Sequence, residues 1–379
     1  MGRRCKEKKP GRMEYGNMEK TNILTLDYES LSAFLKDLGM SAFRTAQVAR
    51  WLYVEGLESF DGMTNISKAD REKLSGAAEI RGLELLDRRV SHDGTEKYLF
   101  GLPDGERIES VLIPDKERLT LCISSQAGCA LGCRFCLTGA SGYRRDLLPH
   151  EITGQVYGAI KLISHSKPSP QRGGGIKGEG DIAAPRVLTN IVLMGMGEPL
   201  MNRENVFGAL RRLTLQQMFC ISPRRITLST AGVVPGIKAL GESGLGVGLA
   251  VSLNAATDAV RDRIMPINKK YPIAALMAAL KAYPLPPRRR ITIEYVMLKG
   301  INDSLSDAKA LLKLLRPVKT KVNLIPFNEH PGSEYKRPDA RAVHAFQNFL
   351  AEAGLAAFIR ESRGADILAA CGQLRASQP

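Results

Sequence analysis

The chain has 379 residues, of which 44% are hydrophobic, enough for one large domain and a small one. No apolar run reaches the length of a membrane span, and the basic start Met1-Gly2-Arg3-Arg4-Cys5-Lys6 lacks the apolar stretch of a signal peptide, which points to the cytoplasm and away from membranes. Seven cysteines in a chain this long do not read as a secreted disulfide framework, and a formal net charge of +15 favours a polyanionic partner.

Residues 1–20 are rich in Lys and Arg and read as a disordered basic tail. The spacing then predicts a helix over 28–38, with Leu31, Phe34, Leu35 and Leu38 on one face and a stop at Gly39. A second helix is predicted over 42–55, with Val48, Trp51 and Leu52 on its apolar side, Arg44 and Arg50 elsewhere, and an end at Gly56. With a third near 68–74, residues 21–95 read as a small helical domain with a basic exterior. Short strands follow over 97–100 and 108–113, around a turn at Pro103-Asp104-Gly105.

From Leu119 the pattern becomes strand, loop and helix, repeated. Strands are predicted over 119–124, 190–194, 225–229, 246–253, 291–297 and 321–325, separated by helices such as 151–164, 205–216 and 306–315. Such alternation implies parallel strands joined by crossover helices. Residues 96–379 therefore predict an α/β fold, a partial (β/α)6 TIM-like barrel, with a closed eight-unit barrel as the alternative. Residues 166–185, rich in Gly, Pro and Ser, read as a flexible surface insertion.

The run Cys129-Ala130-Leu131-Gly132-Cys133-Arg134-Phe135-Cys136 supplies three thiolates from one short loop. A 4Fe–4S cubane usually takes four cysteines, so three leave one iron open to a substrate. A structural zinc loop is the rival reading, but zinc favours four ligands in paired spacings, and no second cysteine pair follows. In Met194-Gly195-Met196-Gly197-Glu198-Pro199, glycines such as Gly197 let backbone approach a ligand closely. Glu198 offers a carboxylate suited to the ammonium of a methionine moiety. Ser229, Ser252-Leu253-Asn254 and Asn328 follow at the ends of later strands, where they offer hydrogen bonds to ribose, carboxylate or adenine. Singly, each reads equally well as a capping or turn residue. On spacing alone Cys122, Cys220 and Cys371 read as small buried hydrophobes, and Cys5 as an incidental tail thiol. Glu109 reads either as an outward-facing strand residue or as a base aimed inward.

The cysteine loop is the signature of the radical S-adenosylmethionine (SAM) superfamily. From about Leu26 onward the chain resembles that superfamily's adenine-C2 RNA methyltransferases. The most specific pieces are Cys122-Ile123-Ser124-Ser125-Gln126, Gly195-Met196-Gly197-Glu198-Pro199-Leu200, Leu228-Ser229-Thr230-Ala231-Gly232-Val233-Val234-Pro235, Met265-Pro266-Ile267-Asn268, Ile325-Pro326-Phe327-Asn328 and Ala369-Ala370-Cys371-Gly372. The resemblance implies methylation at C2 of an adenosine in 23S rRNA and, in some members, in tRNA. Adenine C2 is electron-poor and cannot attack a SAM methyl group directly, so radical chemistry is required. The resemblance also implies that Cys129, Cys133 and Cys136 hold one 4Fe–4S cluster. It implies that Gly197, Glu198, Ser229, Ser252, Leu253, Asn254 and Asn328 bind SAM, two per turnover. Cys371 is then the methyl carrier, Cys122 resolves an RNA–protein crosslink by forming a disulfide, and Glu109 is the base. An external electron donor and a monomeric enzyme complete the expectation. The same chemistry at adenine C8 is the alternative. The basic tail with Cys5 and the insertion at 166–185 depart from the family pattern without touching a motif position.

Overall fold

In a computed structural model of the chain, residues 19–165 and 188–376 are described; the predicted insertion and nearly all of the basic tail, Cys5 included, lie outside them. The chain divides into two compact units, one ending at Arg81 and the other beginning at Gly82.

The first unit is built on helices Tyr28–Asp37, Arg44–Tyr53 and Lys68–Ala77. Asp27 and Ser67 cap the first and third by accepting the amides of Ser30 and Asp70 at 2.8 and 3.1 Å. The helical spacing of Leu31 and Leu35, and of Val48 and Leu52, keeps each pair on one helix face, and these four and Leu74 are buried. A two-residue parallel pairing of Thr21–Asn22 with Ala78–Glu79 ties the unit's ends together.

The second unit is organised on one ten-stranded sheet. Strands Glu84–Val90, Glu96–Gly101 and Arg107–Asp115 run antiparallel and lead into Arg118–Cys122. From there the sheet is parallel, through Asn190–Leu193, Ile226–Thr230, Gly248–Ser252, Ile291–Met297, Thr320–Pro326 and the short Ala357–Ile359. Helices connect successive parallel strands, among them Pro149–His165, Arg203–Thr214 and Leu305–Leu315. The first six parallel strands are the expected partial barrel, and the strand order keeps two separate ends, so the sheet does not close.

Two elements differ from expectation. Glu84–Val90 pairs with Glu96–Gly101, so the compact second unit starts ahead of residue 95. Its side chains are nearly all exposed, which erases the period-two signal of a strand. Ala357–Ile359 adds a seventh parallel strand, three residues long and too short to show any period.

Candidate active site

The cysteine loop leaves the first barrel strand through a hairpin of Gln126–Gly128 with Tyr143–Asp146. Gly128 has φ +76°, and a Cβ there would lie 2.0 Å from the Gly142 carbonyl oxygen, so this turn admits glycine alone. The Cys129 amide donates to Gly142 O at 2.8 Å and the Cys136 amide to Cys133 O at 3.0 Å, which fixes the loop's curl. All three thiols are half-buried and pack against Leu131, Phe135, Ile264, Met265 and Phe327. Burial pushes the Cys129 thiol up to about 12 and also raises Cys133, with neighbouring cysteines and Glu198 adding to it. Among the described residues no three His, Cys, Asp or Glu side chains are gathered to hold a single metal ion. Three thiols of one loop inside an apolar jacket fit a 4Fe–4S cluster.

The Met194–Pro199 turn sits against this loop. A Cβ on Gly197, at φ +97°, would lie 2.5 Å from Gln126 Cβ, and one on Gly195 would meet Ile123 O at 2.8 Å. The close approach expected of these glycines is thus to the exit of the first barrel strand. Glu198 is buried, accepting the Leu200 amide at 3.0 Å and the Ala231 amide at 2.7 Å. Burial raises its pKa against those hydrogen bonds.

The later strand ends divide into free and committed groups. Ser229 is the penultimate residue of its strand and Ser252 the last of the next, and neither hydroxyl has a partner among the described residues. Leu253 is buried, with its amide on Glu294 O. Asn254 adopts φ +58°; its Oδ1 accepts the Val296 amide at 2.8 Å and its Nδ2 donates to Met265 Sδ. Asn328 Nδ2 donates to the Cys371 carbonyl at 3.1 Å, while its Oδ1 accepts from Ser362. Both asparagines are therefore engaged with protein, Asn328 with the Cys371 loop itself.

That loop is stapled to the cysteine loop. The Leu137 amide donates to Gly372 O at 2.7 Å and Thr138 Oγ1 to Leu374 O at 2.5 Å. Ala369 and Leu374 pack with Cys122, Val111 and Met196 in one apolar group. Two cysteines far apart in sequence are so brought to the same end of the barrel. Cys122 is buried and pushed up to about 12 by that burial. Cys371, in contrast to its reading as a buried hydrophobe, is exposed. The protein packed around it, followed by Glu294, Cys122 and Cys136, nevertheless pushes its thiol up to about 12. Cys220 is likewise exposed, in a turn at φ +55°.

Glu109 faces inward. Its Oε1 lies 3.1 Å from Lys97 Nζ, both side chains being buried, and its Oε2 accepts the Arg375 amide at 2.8 Å. Lys97 escaped the sequence reading, and so did Arg261, which is fully buried although it lies in a short polar helix, Asp258–Ile264. The Arg261 guanidinium donates to Leu253 O at 2.9 Å, Ala231 O at 2.6 Å and Asn268 Oδ1 at 2.9 Å, tying two strand exits together. Nothing in the local pattern distinguishes it from a surface arginine.

A model described as the ribosomal RNA large subunit methyltransferase N-terminal domain matches residues 21–80, and the radical SAM superfamily model matches residues 176–315. A dual-specificity RNA methyltransferase RlmN from Geotalea uraniireducens is 49% identical over 94% of this chain and 97% of its own length. The chain belongs to the RlmN family. An RlmN from Desulfosudis oleivorans is 50% identical over 93% of this chain and 90% of its own length. A crystal structure of a radical SAM methyltransferase from Sphaerobacter thermophilus matches with TM-score 0.85 at 38% identity, over 94% of this chain and all of that one. RlmN membership places this chain among radical SAM enzymes, whose cofactors are SAM and a 4Fe–4S cluster. Among the described residues no helix is long and apolar enough to cross a membrane.

Proposed function

We propose that this protein methylates C2 of an adenosine in 23S rRNA, and in tRNA, through a methylated Cys371 and a transient RNA–protein crosslink. The observation that carries the reading is the docking of the Cys371 loop onto both the cysteine loop and the apolar group around Cys122. A purely structural cysteine pair has no need to sit beside a cluster loop.

Cys129, Cys133 and Cys136 would hold the cluster, and Gly197, Glu198, Ser229, Ser252, Leu253, Asn254 and Asn328 would bind SAM. When bound, this cofactor pair supplies a one-electron cleavage of SAM able to remove a hydrogen atom from an unactivated methyl group, using an electron from an external donor. Cys371, as thiolate, would take the methyl group of one SAM, with S-adenosylhomocysteine leaving, and hold that methyl group in place for removal of a hydrogen atom. The Asn328 bond to the Cys371 carbonyl and the Gly372–Leu137 bond fix where that methyl group stands. Carbon–carbon bond formation at C2 then leaves the RNA attached to Cys371. That adduct still carries an unpaired electron, so one electron would return to the oxidised cluster as Glu109, positioned by Lys97 and the Arg375 amide, takes the C2 proton. Cys122, as thiolate, attacks the Cys371 sulfur; the sulfur–carbon bond breaks with its electron pair going to the product carbon, which takes up a proton to become the methyl group, and a disulfide is left for an outside reductant, chemistry compatible with the cytoplasm. Apart from the external donor and reductant, one chain would carry every protein group this sequence needs.

The test is intact-mass and nuclease analysis of Cys122→Ala and Cys371→Ala proteins purified from cells. Covalently attached RNA is expected on the first and none on the second. Full activity of both variants would overturn the reading. Digestion of the product to nucleosides distinguishes 2-methyladenosine from the 8-methyl isomer.

A further inference from the structure

A cleft of about 400 Å³ opens beside the cysteine loop, its lining including Arg107, Gly128, Arg144, Met196 and Arg375. Arg144 and Arg375 are exposed and Arg107 is half-buried. None of the three guanidiniums has a hydrogen-bond or ion-pair partner among the described residues. Arg145, next in sequence to Arg144, shows the opposite condition: Glu151 grips it at 2.7 and 2.8 Å, and Asp104 binds its Nε. One arginine of this pair is spent on structure and the other is left open. Glu106 is the acidic residue of the lining, so three cations face one carboxylate.

The three arginines arrive from separate segments, each of which continues into the site. Arg107 opens the strand that carries Glu109. Arg144 lies on the hairpin strand paired with Gln126–Gly128, immediately before Cys129. Arg375 follows Cys371 by four positions, and its amide is held by Glu109. Buried Met196, on the lining, belongs to the apolar group around Cys122. Like charges brought this close repel one another unless an anion lies between them. The planar guanidinium fork matches a phosphate in two-point contact. The cleft is also roomier than a lone phosphate group requires and suits the sugar–phosphate of a nucleotide.

We infer that this cleft holds the phosphodiester backbone of the RNA next to the target adenosine, gripped by Arg107, Arg144 and Arg375. The inference rests on the RNA-methyltransferase reading above and assigns the substrate's charge to three residues. Backbone contacts of this kind position a nucleic acid without reading its sequence.

The experiment measures binding of a hairpin RNA with one unpaired adenosine to the cluster-loaded protein, as a function of potassium chloride. It compares wild type, each single Arg→Gln variant, the triple variant and Lys238→Gln, an exposed charge on the outer helix Val234–Glu242. Each arginine variant is expected to raise Kd roughly tenfold at low salt and to lower the slope of log Kd against log salt by about 0.7 to 0.9. Lys238→Gln removes the same formal charge and should stay within about twofold. A neutral methylphosphonate beside the adenosine should weaken wild type but add little to the triple variant. Equal Kd and slope in wild type and triple variant, or an undiminished methylphosphonate penalty, overturns the assignment. Methylation is scored separately at saturating RNA, so a wild type that binds RNA but never methylates it sinks the function and leaves the cleft test readable.

Discussion

At the scale of single residues, the site depends on a few positions where chemistry and packing leave no choice. Gly197 combines φ +97° with a would-be Cβ 2.5 Å from Gln126. Gly197→Ala therefore meets both backbone strain and overpacking, and should cost about 2–5 kcal/mol in urea unfolding. Lys97 and Glu109 form a buried ion pair at 3.1 Å. Lys97→Met leaves the carboxylate buried with one amide donor, and the expected loss is about 3 kcal/mol, partly recovered in the double variant with Glu109→Gln. The same double variant should fold yet fail to release crosslinked RNA, since the base is gone. Arg261→Met strips hydrogen bonds from the carbonyls of Leu253 and Ala231, at an expected cost of roughly 2–4 kcal/mol. Glycine motifs were legible because only glycine tolerates such geometry, whereas Lys97 and Arg261 were not. A long cation's burial depends on what the fold brings against it, which local sequence does not record.

At the scale of elements, the C-terminal loop matters most, because it has little regular structure and is held by distant side chains. Asp93 accepts the Gly364 amide at 3.0 Å, and Asp366 accepts Ser91 Oγ at 2.6 Å, so one turn of the antiparallel strands anchors the base of the Cys371 loop. Burial pushes the Asp93 carboxyl up, but hydrogen bonds from Thr95, Gly364 and Ser91 together outweigh it and hold the group at about 2, below the ordinary 3.8. A depressed carboxyl contributes stability that is complete above its unfolded value and disappears as pH falls through its folded value. The anchor should thus be intact above about pH 4 and weaken from there toward pH 2. Urea midpoints across that window should fall for wild type and run flatter for Asp93→Asn. Parallel curves for the two proteins would show that Asp93 does not anchor the loop. Barrel strands such as Ile291–Met297 were readable to the residue, being long and apolar between turn signals. Glu84–Val90 was invisible because its exposed side chains leave the hydrogen-bond ladder as its main support.

At the scale of the whole molecule, charge and cofactor chemistry govern behaviour. With a formal net charge of +15, RNA affinity should fall steeply with salt, by roughly 0.7 to 0.9 log units per tenfold salt for each phosphate contacted. A flat response in a filter-binding titration would count against RNA as the substrate. Anaerobically reconstituted protein should carry about four irons per chain, and removal of Cys129, Cys133 and Cys136 together should abolish them, as read by iron analysis and the visible absorption of the cluster.

The sequence alone determined the α/β barrel and the cysteine loop, because strand–helix alternation and close ligand spacing are local properties written in consecutive residues. Its spacing and periodicity did not pair Cys122 with Cys371, which the family resemblance alone implied, nor distinguish the engaged Asn254 and Asn328 from the free Ser229 and Ser252, nor gather Arg107, Arg144 and Arg375 around one cleft. Those relations join segments separated by tens to hundreds of residues. Only the curvature of the sheet and the docking of the last loop against the first decide which of those groups share a site and which are consumed in holding it together.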